Sequence, residues 1–331
     1  MTRRRQTPKL SISYGRAVAL LLLLSLTACA SQVRPTQPED LLQYIPPQGA
    51  QLLNRHAPTF LIEDFRRGHN RIGKVRANSA NSVYVDPDSP VLYAEQRQFS
   101  TAKGEYTNLI YRIQFTEVPD GYAPFYLSAG KNVGLLFIVT LNATGQPLLY
   151  TTVHTCGCYL AIIPTNDLPS TMRPLELNKE RLSVFGESLP AELNDTSASS
   201  EQSRIHLRIR ADTHRVSDLW LAPINERLQP SMELSLQPLE DLKQLPLGNG
   251  QTTSFYEVSG AREGHVKGSY KTRERLLMSW WAFDWNIGQD KYLGANLQDG
   301  PVFYTSLKPW ARKESDLRDF AGFLKYWGWN L

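Results

Sequence analysis

Cysteine is scarce in this chain of 331 residues, which contains only Cys29, Cys156 and Cys158. A framework of several disulfides, as in small secreted domains, is therefore excluded. Collagen-like and coiled-coil chains are also excluded, because no periodic glycine or heptad pattern is present. Hydrophobic residues make up 41% of the chain and charged residues 21%, which is the composition of a folded protein and not of a disordered one.

An excess of one charge is also missing from most of the chain. The formal net charge is +4, but five cations and no acidic residue lie in the first 28 residues. Without that segment the chain has 31 basic and 32 acidic residues. The basic character therefore belongs to the leading segment, and no nucleic-acid partner is expected.

Complete catalytic motifs are absent as well. The sequence has no His-Glu-x-x-His pair and no Gly-x-Ser-x-Gly elbow. Ser-x-x-Lys occurs at residues 100–103 and 128–131, but the Lys-Thr-Gly companion of penicillin-binding enzymes is missing. We therefore expect a binding or structural protein rather than an enzyme.

The first 28 residues have the order of a bacterial export signal. A cationic stretch over residues 3–16 precedes an apolar run over residues 17–24, which is shorter than the roughly 20 residues of a membrane span. The next segment, Leu26-Thr27-Ala28-Cys29, resembles a bacterial lipobox. The resemblance implies a signal peptide over residues 1–28 and acylation of Cys29 after cleavage. A plain signal peptide with an incidental cysteine is the alternative.

The same resemblance implies a location. The residue after the cysteine is Ala30 and not Asp, which in enteric-type bacteria often marks retention at the inner membrane. We therefore expect a protein anchored by lipid to the outer membrane, on its periplasmic side. Several acyl chains on one residue hold a protein on a membrane far better than a single chain does.

Residues 29–50 are rich in proline, glutamine and serine, which is typical of a tether. One short helical piece is predicted around residues 39–44. Because few apolar side chains are available for burial in this segment, it is expected to be dispensable for folding. The globular domain is expected to span residues 51–331, and whether its final 70 residues form a separate domain is left open by the pattern.

Strands are predicted for most of the globular part. Segments rich in β-branched and aromatic residues lie at 83–85, 106–115, 133–142 and 147–155, with a hairpin turn over residues 142–145. Residues 204–210 alternate basic and apolar side chains, which predicts a half-exposed strand with its basic side chains in solvent. Helices are predicted at 275–283 and 315–327, the second capped by Ser315. The predicted fold is mainly β with some α: an antiparallel sandwich or curved sheet with helices packed in the C-terminal part.

His154, Cys156 and Cys158 form a His-x-Cys-x-Cys pattern at the end of a predicted strand. On a continuous strand their side chains share one face, where they could bind Cu or Zn. Gly157 could instead bend the chain and bring the cysteines within reach of a disulfide. A pair of buried free thiols is the third interpretation.

Six of the seven tryptophans lie from residue 280 onward, which makes 280–331 a Trp-rich, partly helical region. Trp280, Asp284 and Trp285 place two rings beside an acid and are the candidate ligand surface. Packing of these rings is the alternative, in which Trp281 and Trp285 share a helix face in the core.

Two classes of function follow from these patterns. The first is a non-enzymatic envelope lipoprotein that binds a small ligand, an envelope protein or peptidoglycan. The second is a metal-binding (Cu or Zn) or thiol-redox protein that uses His154, Cys156 and Cys158.

Overall fold

The computed structural model describes residues 40–121, 126–175, 180–194, 203–248 and 250–331. Cys29 and the predicted signal peptide lie outside the described residues, so the lipidation site stays a prediction. Most of the predicted polar loop at 192–203 lies outside them as well.

The described chain is mainly β, with three helices, two of them near the C-terminus. The helices are α1 (Leu52–Arg55), α2 (Thr272–Ala282) and α3 (Phe320–Tyr326). The strands are β1 (Leu41–Ile45), β2 (Thr59–Glu63), β3 (Lys74–Ser79), β4 (Ser82–Asp86), β5 (Val91–Thr101), β6 (Gly104–Val118), β7 (Gly130–Leu141), β8 (Pro147–His154), β9 (Ala161–Pro164), β10 (Arg181–Val184), β11 (Glu187–Pro190), β12 (Ser203–Ile209), β13 (Val216–Pro223), β14 (Ser231–Glu233), β15 (Ser235–Pro238), β16 (Leu245–Pro246) and β17 (Thr252–Thr253).

Two large sheets carry the fold. The five-stranded sheet has the order β13-β12-β2-β1-β14, and the six-stranded sheet has the order β15-β5-β6-β7-β8-β9. Strands β5 to β9 are successive antiparallel neighbours. The predicted turn between β7 and β8 is present, since the N–H of Gly145 donates to the carbonyl of Asn142 at 3.0 Å. Hairpins β3–β4, β10–β11 and β16–β17 stand beside the large sheets.

The first hydrophobic core lies between the two large sheets. Phe60 and Ile62 of β2 belong to the same buried cluster as Tyr111 of β6 and Phe137 of β7. The rings of Tyr111 and Phe137 stack with their centroids 6.3 Å apart. Since the two sheets bury their facing side chains against each other, the predicted sandwich is confirmed.

The second hydrophobic core covers the opposite face of the six-stranded sheet. Leu136 and Ile138 of β7 cluster there with Phe255, Phe303 and Phe323 of the C-terminal part. Every residue of β8 is buried, as expected for a strand covered on both faces. The described chain therefore has three layers: the five-stranded sheet, the six-stranded sheet, and a C-terminal layer of helices and loops.

The short helix expected at residues 39–44 is wrong, because Leu41–Ile45 form strand β1. This strand lies between β2 and β14, where Leu42 and Tyr44 are almost fully buried. Strand β1 pairs with two strands that are distant from each other in the sequence. The local pattern of β1 gives no indication of these partners. The folded part of the chain thus includes the last residues of the predicted tether.

The solvent face expected for β12 is also wrong, because β12 lies inside its sheet between β13 and β2. Arg204 is buried, and Arg208 donates from Nε to the buried Glu63 carboxylate at 2.7 Å. Arg210 lies between Glu63 and the equally buried Glu187, at 3.2 and 2.7 Å. Arg208 and Arg210 therefore neutralise buried carboxylates, and Arg204 donates to the backbone carbonyls of Pro46 and Asn54.

The last helix is shorter than predicted and has another cap. Helix α3 begins at Phe320, where Asp319 accepts a hydrogen bond from the backbone N–H of Gly322. Ser315, the predicted cap, is fully buried and accepts a hydrogen bond from the N–H of Ser306 at 3.1 Å. Buried polar groups require a partner, and a neighbouring loop supplies one to Ser315 before the helix begins.

One edge of the sandwich collects the loops that build the candidate site, and we call it the loop edge. Strands β2, β6, β8 and β12 end there, and β1 and β7 begin there, as their pairing shows. The hydroxyl of Tyr126 donates to Asp212 at 3.2 Å, which joins the β6–β7 loop to the segment after β12. The His154 ring contacts the carbonyl of His214 at 3.0 Å, which joins the end of β8 to the same segment.

Buried histidines make the stability of this fold dependent on pH. Burial is the first cause that lowers the pKa of His56, His154 and His265 to about 4 in the folded chain. In the unfolded chain these imidazoles titrate near 6.5. The unfolded state therefore takes up protons first as the pH falls, and folding stability is lost between about pH 6.5 and pH 4.

We expect the free energy of unfolding in urea to be lower at pH 5 than at pH 7.5 by roughly 2 kcal/mol for each such histidine. His265→Gln should make this dependence shallower by the contribution of one histidine. Thr151 is fully buried and does not titrate, so Thr151→Val is the matched control and should leave the slope unchanged. An unchanged slope in His265→Gln would show that the buried imidazole is not held neutral.

Candidate functional site

A cleft of about 770 Å³ lies at the loop edge. Its walls are the segment that follows β8, the β10–β11 hairpin and two stretches of the C-terminal layer. Rings from each part face it, among them those of Tyr159, Phe185, Tyr304 and Trp327. Small-molecule sites usually measure about 300–1,000 Å³ and have mainly apolar walls, so the cleft has the size and character of a ligand site.

A tight turn after β8 forms one wall of the cleft. The N–H of Gly157 donates to the carbonyl of His154 at 2.8 Å, and the N–H of His154 donates to the carbonyl of Cys158 at 2.9 Å. Gly157 has φ +93°, and a Cβ there would lie 2.1 Å from the carbonyl oxygen of Tyr304. Glycine is therefore required here, and the predicted bend at Gly157 is confirmed.

The two cysteines of this turn are free thiols in contact with each other. Cys156 is buried, whereas Cys158 is half-buried and lies at the cleft, with its Sγ 4.0 Å from Glu274 Oε1. The hydrogen bond to Cys156 and burial together raise the pKa of the Cys158 thiol well above its usual range. A reactive cysteine needs a thiolate, so Cys158 is not an activated nucleophile at neutral pH.

His154 is held away from a ligand role by its own partner. Its buried ring contacts the carbonyl of His214 through Nε2 and meets the Tyr159 ring edge to face at 4.7 Å. Across the described ranges, no group of three or more His, Cys, Asp or Glu side chains is placed to hold a metal ion. The structure thus brings the two predicted thiols together, but it does not join His154 to them as a third ligand.

A buried ionic cluster lies behind this turn, and no pattern in the sequence predicted it. Lys271 Nζ is 3.3 Å from Asp290 Oδ2, and both side chains are almost completely buried. Asp290 also accepts hydrogen bonds from the hydroxyls of Ser269, at 2.7 Å, and Thr155. Lys271 and Asp290 stand 19 positions apart in irregular segments, so neither periodicity nor a motif could have paired them.

Burial and charge oppose each other in this cluster. Burial alone would lower the pKa of Lys271, but the nearby Asp290, Cys156 and Glu274 raise it above its ordinary value. Burial would raise the pKa of Asp290, but Lys271 and the hydrogen bonds from Thr155 and Ser269 lower it. Both groups are therefore charged at neutral pH, and the cluster is an internal ion pair that fixes the start of α2 to the sheet.

Glu274 connects the ionic cluster to the cleft. Burial raises the pKa of this carboxyl above its ordinary value, although Lys271 and Lys291 oppose the shift. Its carboxylate packs against Gly288, where a Cβ would approach within 2.0 Å. Lys291 Nζ donates to the carbonyl of Cys156 at 2.9 Å and is therefore occupied by the turn. These groups hold one another in place, and none of them pairs an activated nucleophile with a base.

The Trp-rich region places its rings outside the core. Trp280 and Trp285, the predicted ligand surface, are 72% and 70% exposed. Asp284 accepts a hydrogen bond from the hydroxyl of Tyr304 at 2.6 Å, which connects this region to the wall of the cleft. The expectation that Trp281 and Trp285 pack in the core is wrong, because Trp281 is also 40% exposed.

Exposed apolar side chains extend well beyond the two predicted rings. We call them the aromatic face, and its members are Leu276, Leu277, Trp280, Trp281, Phe283, Trp285 and Trp310. The guanidinium of Arg312 donates to the carbonyl oxygens of Ala282 and Phe283, which places the segment of Trp310 beside the end of α2. The local composition predicted Trp280 and Trp285 as part of a ligand surface. It did not indicate the aliphatic members of the aromatic face.

Comparison with protein-family models, with curated proteins and with solved structures found no match to this chain. Within the described ranges, no helix combines the length and apolar character needed to cross a bilayer. The cleft, the turn with its thiols, and the aromatic face are therefore the features of the chain that bear on its function.

Proposed function

We propose that this protein is a non-enzymatic binding lipoprotein of the bacterial envelope that holds an apolar ligand in the cleft at the loop edge. The observation that carries the proposal is the cleft itself, with its volume of about 770 Å³ and its ring-lined walls. Burial of apolar ligand surface in such a space is favourable by about 25 cal/mol for each Å² removed from water. An acyl chain or a similar apolar body fits this chemistry.

Binding is favoured over catalysis by the state of the polar groups near the cleft. The carboxylate of Asp290 is paired with Lys271, and the ammonium of Lys291 is bonded to a backbone carbonyl. The raised pKa of the Cys158 thiol keeps it protonated at neutral pH. A catalytic site needs groups free to exchange protons or attack a substrate, and these groups are engaged in holding the walls.

The cellular location in this proposal is based on the sequence. The lipobox at Cys29 supports an anchor in the outer membrane, with the body in the periplasm. An apolar ligand is at hand in such a place, since acyl chains are the main component of the membrane beside it. Binding of lipid-like molecules is a function that uses both the anchor and the cleft.

Titration with palmitate, followed by isothermal titration calorimetry, tests this function. We expect one site per chain and about tenfold weaker binding for Phe185→Asp, equivalent to roughly 1.4 kcal/mol. Phe185 lines the cleft, is 67% exposed, and has a positive φ that Asp tolerates well, so folding should be preserved.

Val258→Asp is the matched control, because Val258 is 71% exposed and is not part of the cleft wall. This variant should bind palmitate as the unmodified protein does. Equal affinity in all three proteins, or an absence of binding, would contradict an apolar ligand site in the cleft.

A further inference from the structure

Helix α2 exposes large apolar side chains to solvent and buries small and polar ones. Its buried residues are Glu274, Ser279 and Ala282, whereas Leu276 and Trp280 are 77% and 72% exposed. Helices on a protein surface normally turn their apolar stripe to the core and their polar side to water. The reversed arrangement of α2 indicates that its outer side meets an apolar environment.

The aromatic face gathers much of the exposed apolar surface of the described chain. Its seven members are nearly half of the 15 large hydrophobic side chains that are exposed in the described chain. Single exposed hydrophobic residues are ordinary, but a contiguous group of this kind marks an interaction site. The indole N–H of Trp280 already donates to the carbonyl of Leu277 at 3.1 Å, so this ring needs no polar partner outside the helix.

Cations lie in the segments that carry the aromatic face. Arg275 is exposed, and its guanidinium lies over the Trp285 ring, 5.6 Å from the ring centroid. Lys308 and Lys313 are exposed before and after Trp310 in the sequence, with one exposed acid, Glu314, next to Lys313. Tryptophan, leucine and phenylalanine on one side, with lysine and arginine beside them, is the composition of segments that lie in the interface of an anionic membrane.

Helix α2, which carries part of the aromatic face, starts at the loop edge. Strand β1 starts at the same edge. The carbonyl of Asp40 accepts a hydrogen bond from the N–H of Asp64 at 2.9 Å, which fixes the start of β1 at this edge. Near the start of α2, Lys271 donates to the carbonyl of Ser128 at 3.1 Å and Arg273 to that of Gly121 at 2.9 Å. Both carbonyls belong to the β6–β7 loop, which lies at the same edge.

The length of chain before Asp40 agrees with this placement. Asp40 follows Cys29 by eleven positions, which at full extension reach at most about 40 Å. A lipid on Cys29 would therefore keep the loop edge within about 40 Å of the bilayer surface. Because α2 starts at this edge, the tether allows the aromatic face to meet the membrane.

We propose that the aromatic face docks on the surface of a bilayer that contains anionic phospholipids, with its tryptophans in the headgroup region. The proposal rests on the lipid anchor of the proposed function for the orientation of the body. Because Asp284 on this face holds Tyr304 of the cleft wall, docking brings the cleft close to the lipid surface. The anchor and the aromatic face would then hold the body in one orientation.

Tryptophan quenching in vesicles tests the docking. The mature chain with its own anchor is reconstituted in vesicles of phosphatidylethanolamine and phosphatidylglycerol, with either plain or brominated acyl chains. We expect the tryptophan fluorescence to be at least about 1.5-fold lower in the brominated vesicles, since bromine quenches only rings that it touches. Replacing phosphatidylglycerol with phosphatidylcholine should reduce this difference at least twofold, because the cations then lose their partners.

Two variants identify the rings that make the contact. Combining Trp280→Ser, Trp285→Ser and Trp310→Ser should abolish most of the difference, and all three rings are exposed enough for the fold to be retained. Trp220→Phe on β13 is the matched control and should keep it. Quenching that survives in the triple variant but disappears in Trp327→Phe with Trp329→Phe would place the lipid contact in the cleft and overturn the docking.

The same samples separate failure of the docking from failure of the anchor. Protein that is recovered with the vesicles but is not quenched would be anchored without contact, which overturns the proposal and leaves the face to a protein partner. Protein that is not recovered with the vesicles would overturn both the anchor and the docking.

Discussion

A chain that begins at residue 47 should not fold, whereas one that begins at residue 40 should unfold cooperatively. The shorter chain lacks β1, which pairs with β2 on one side and β14 on the other. Leu42, Tyr44 and Ile45 are all buried, and loss of one such side chain commonly costs about 2–5 kcal/mol. The combined loss equals or exceeds the roughly 5–15 kcal/mol of a typical folded protein.

Circular dichroism and urea unfolding of the two chains make the comparison. Leu42→Ala in the longer chain gives a measured intermediate, with an expected loss of about 2–5 kcal/mol and a retained transition. Equal unfolding midpoints for the two chain lengths would show that β1 is a dispensable part of the tether, as its composition suggests.

Breaking the Lys271–Asp290 ion pair has the second largest expected effect. Lys271→Met leaves the Asp290 carboxylate charged in a site that is almost closed to solvent. Removal of one partner from a buried pair typically destabilises a protein by about 3–5 kcal/mol, because the remaining charge is desolvated without compensation. We expect a loss of this size in urea unfolding at neutral pH.

Arg227→Met is the matched control for this variant. Arg227 and Glu233 are 3.0 Å apart, but their side chains are 51% and 63% exposed. Solvent screens such a pair, and its loss should cost less than about 1 kcal/mol. Similar losses in the two variants would show that burial does not set the strength of the Lys271–Asp290 pair.

Local pattern was sufficient for β6, β7 and β8 of the six-stranded sheet, but it did not predict β5, β9 or β15. Strands β6, β7 and β8 are long runs of β-branched and aromatic residues, and the turn at residues 142–145 has the glycine that its geometry requires. The bend at Gly157 was predictable for the same reason, since only glycine adopts its backbone conformation without strain. Features encoded within a few consecutive residues were therefore readable from the sequence.

Features that depend on contacts between distant segments could not be predicted from the sequence. Strand β1 looked like a tether because β2 and β14 do not appear in its local sequence, and β12 looked half-exposed because alternation does not reveal a cover on the polar side. Glu274 belongs to no motif in the sequence, although the fold buries it beside Lys271. The cleft likewise depends on segments more than 100 residues apart, such as the turn at Cys158 and the segment at Tyr304.

Helix α2 shows the opposite case, in which a side that was predicted to be buried is exposed. A spacing of four residues places Trp281 and Trp285 on one side of a helix, and the usual expectation is that this side faces the core. In the structure α2 ends at Ala282, so Trp285 lies beyond the helix. Trp281 is on the exposed side of α2, and the core-facing positions are filled by small and polar residues such as Ala282 and Ser279. Periodicity predicted a helix in this segment but neither its end nor which side is buried.

Quenching by a dibrominated fatty acid tests the central claim, that the cleft binds an apolar chain, most directly. Trp327 and Trp329 both line the cleft, so a bound brominated chain should quench them in a saturable way, with one ligand per protein. Trp327→Phe combined with Trp329→Phe should remove most of this quenching, because no other tryptophan of the described residues lines the cleft. Saturable quenching that persists undiminished in this double variant would contradict the account, because the ligand would then be bound somewhere other than the cleft.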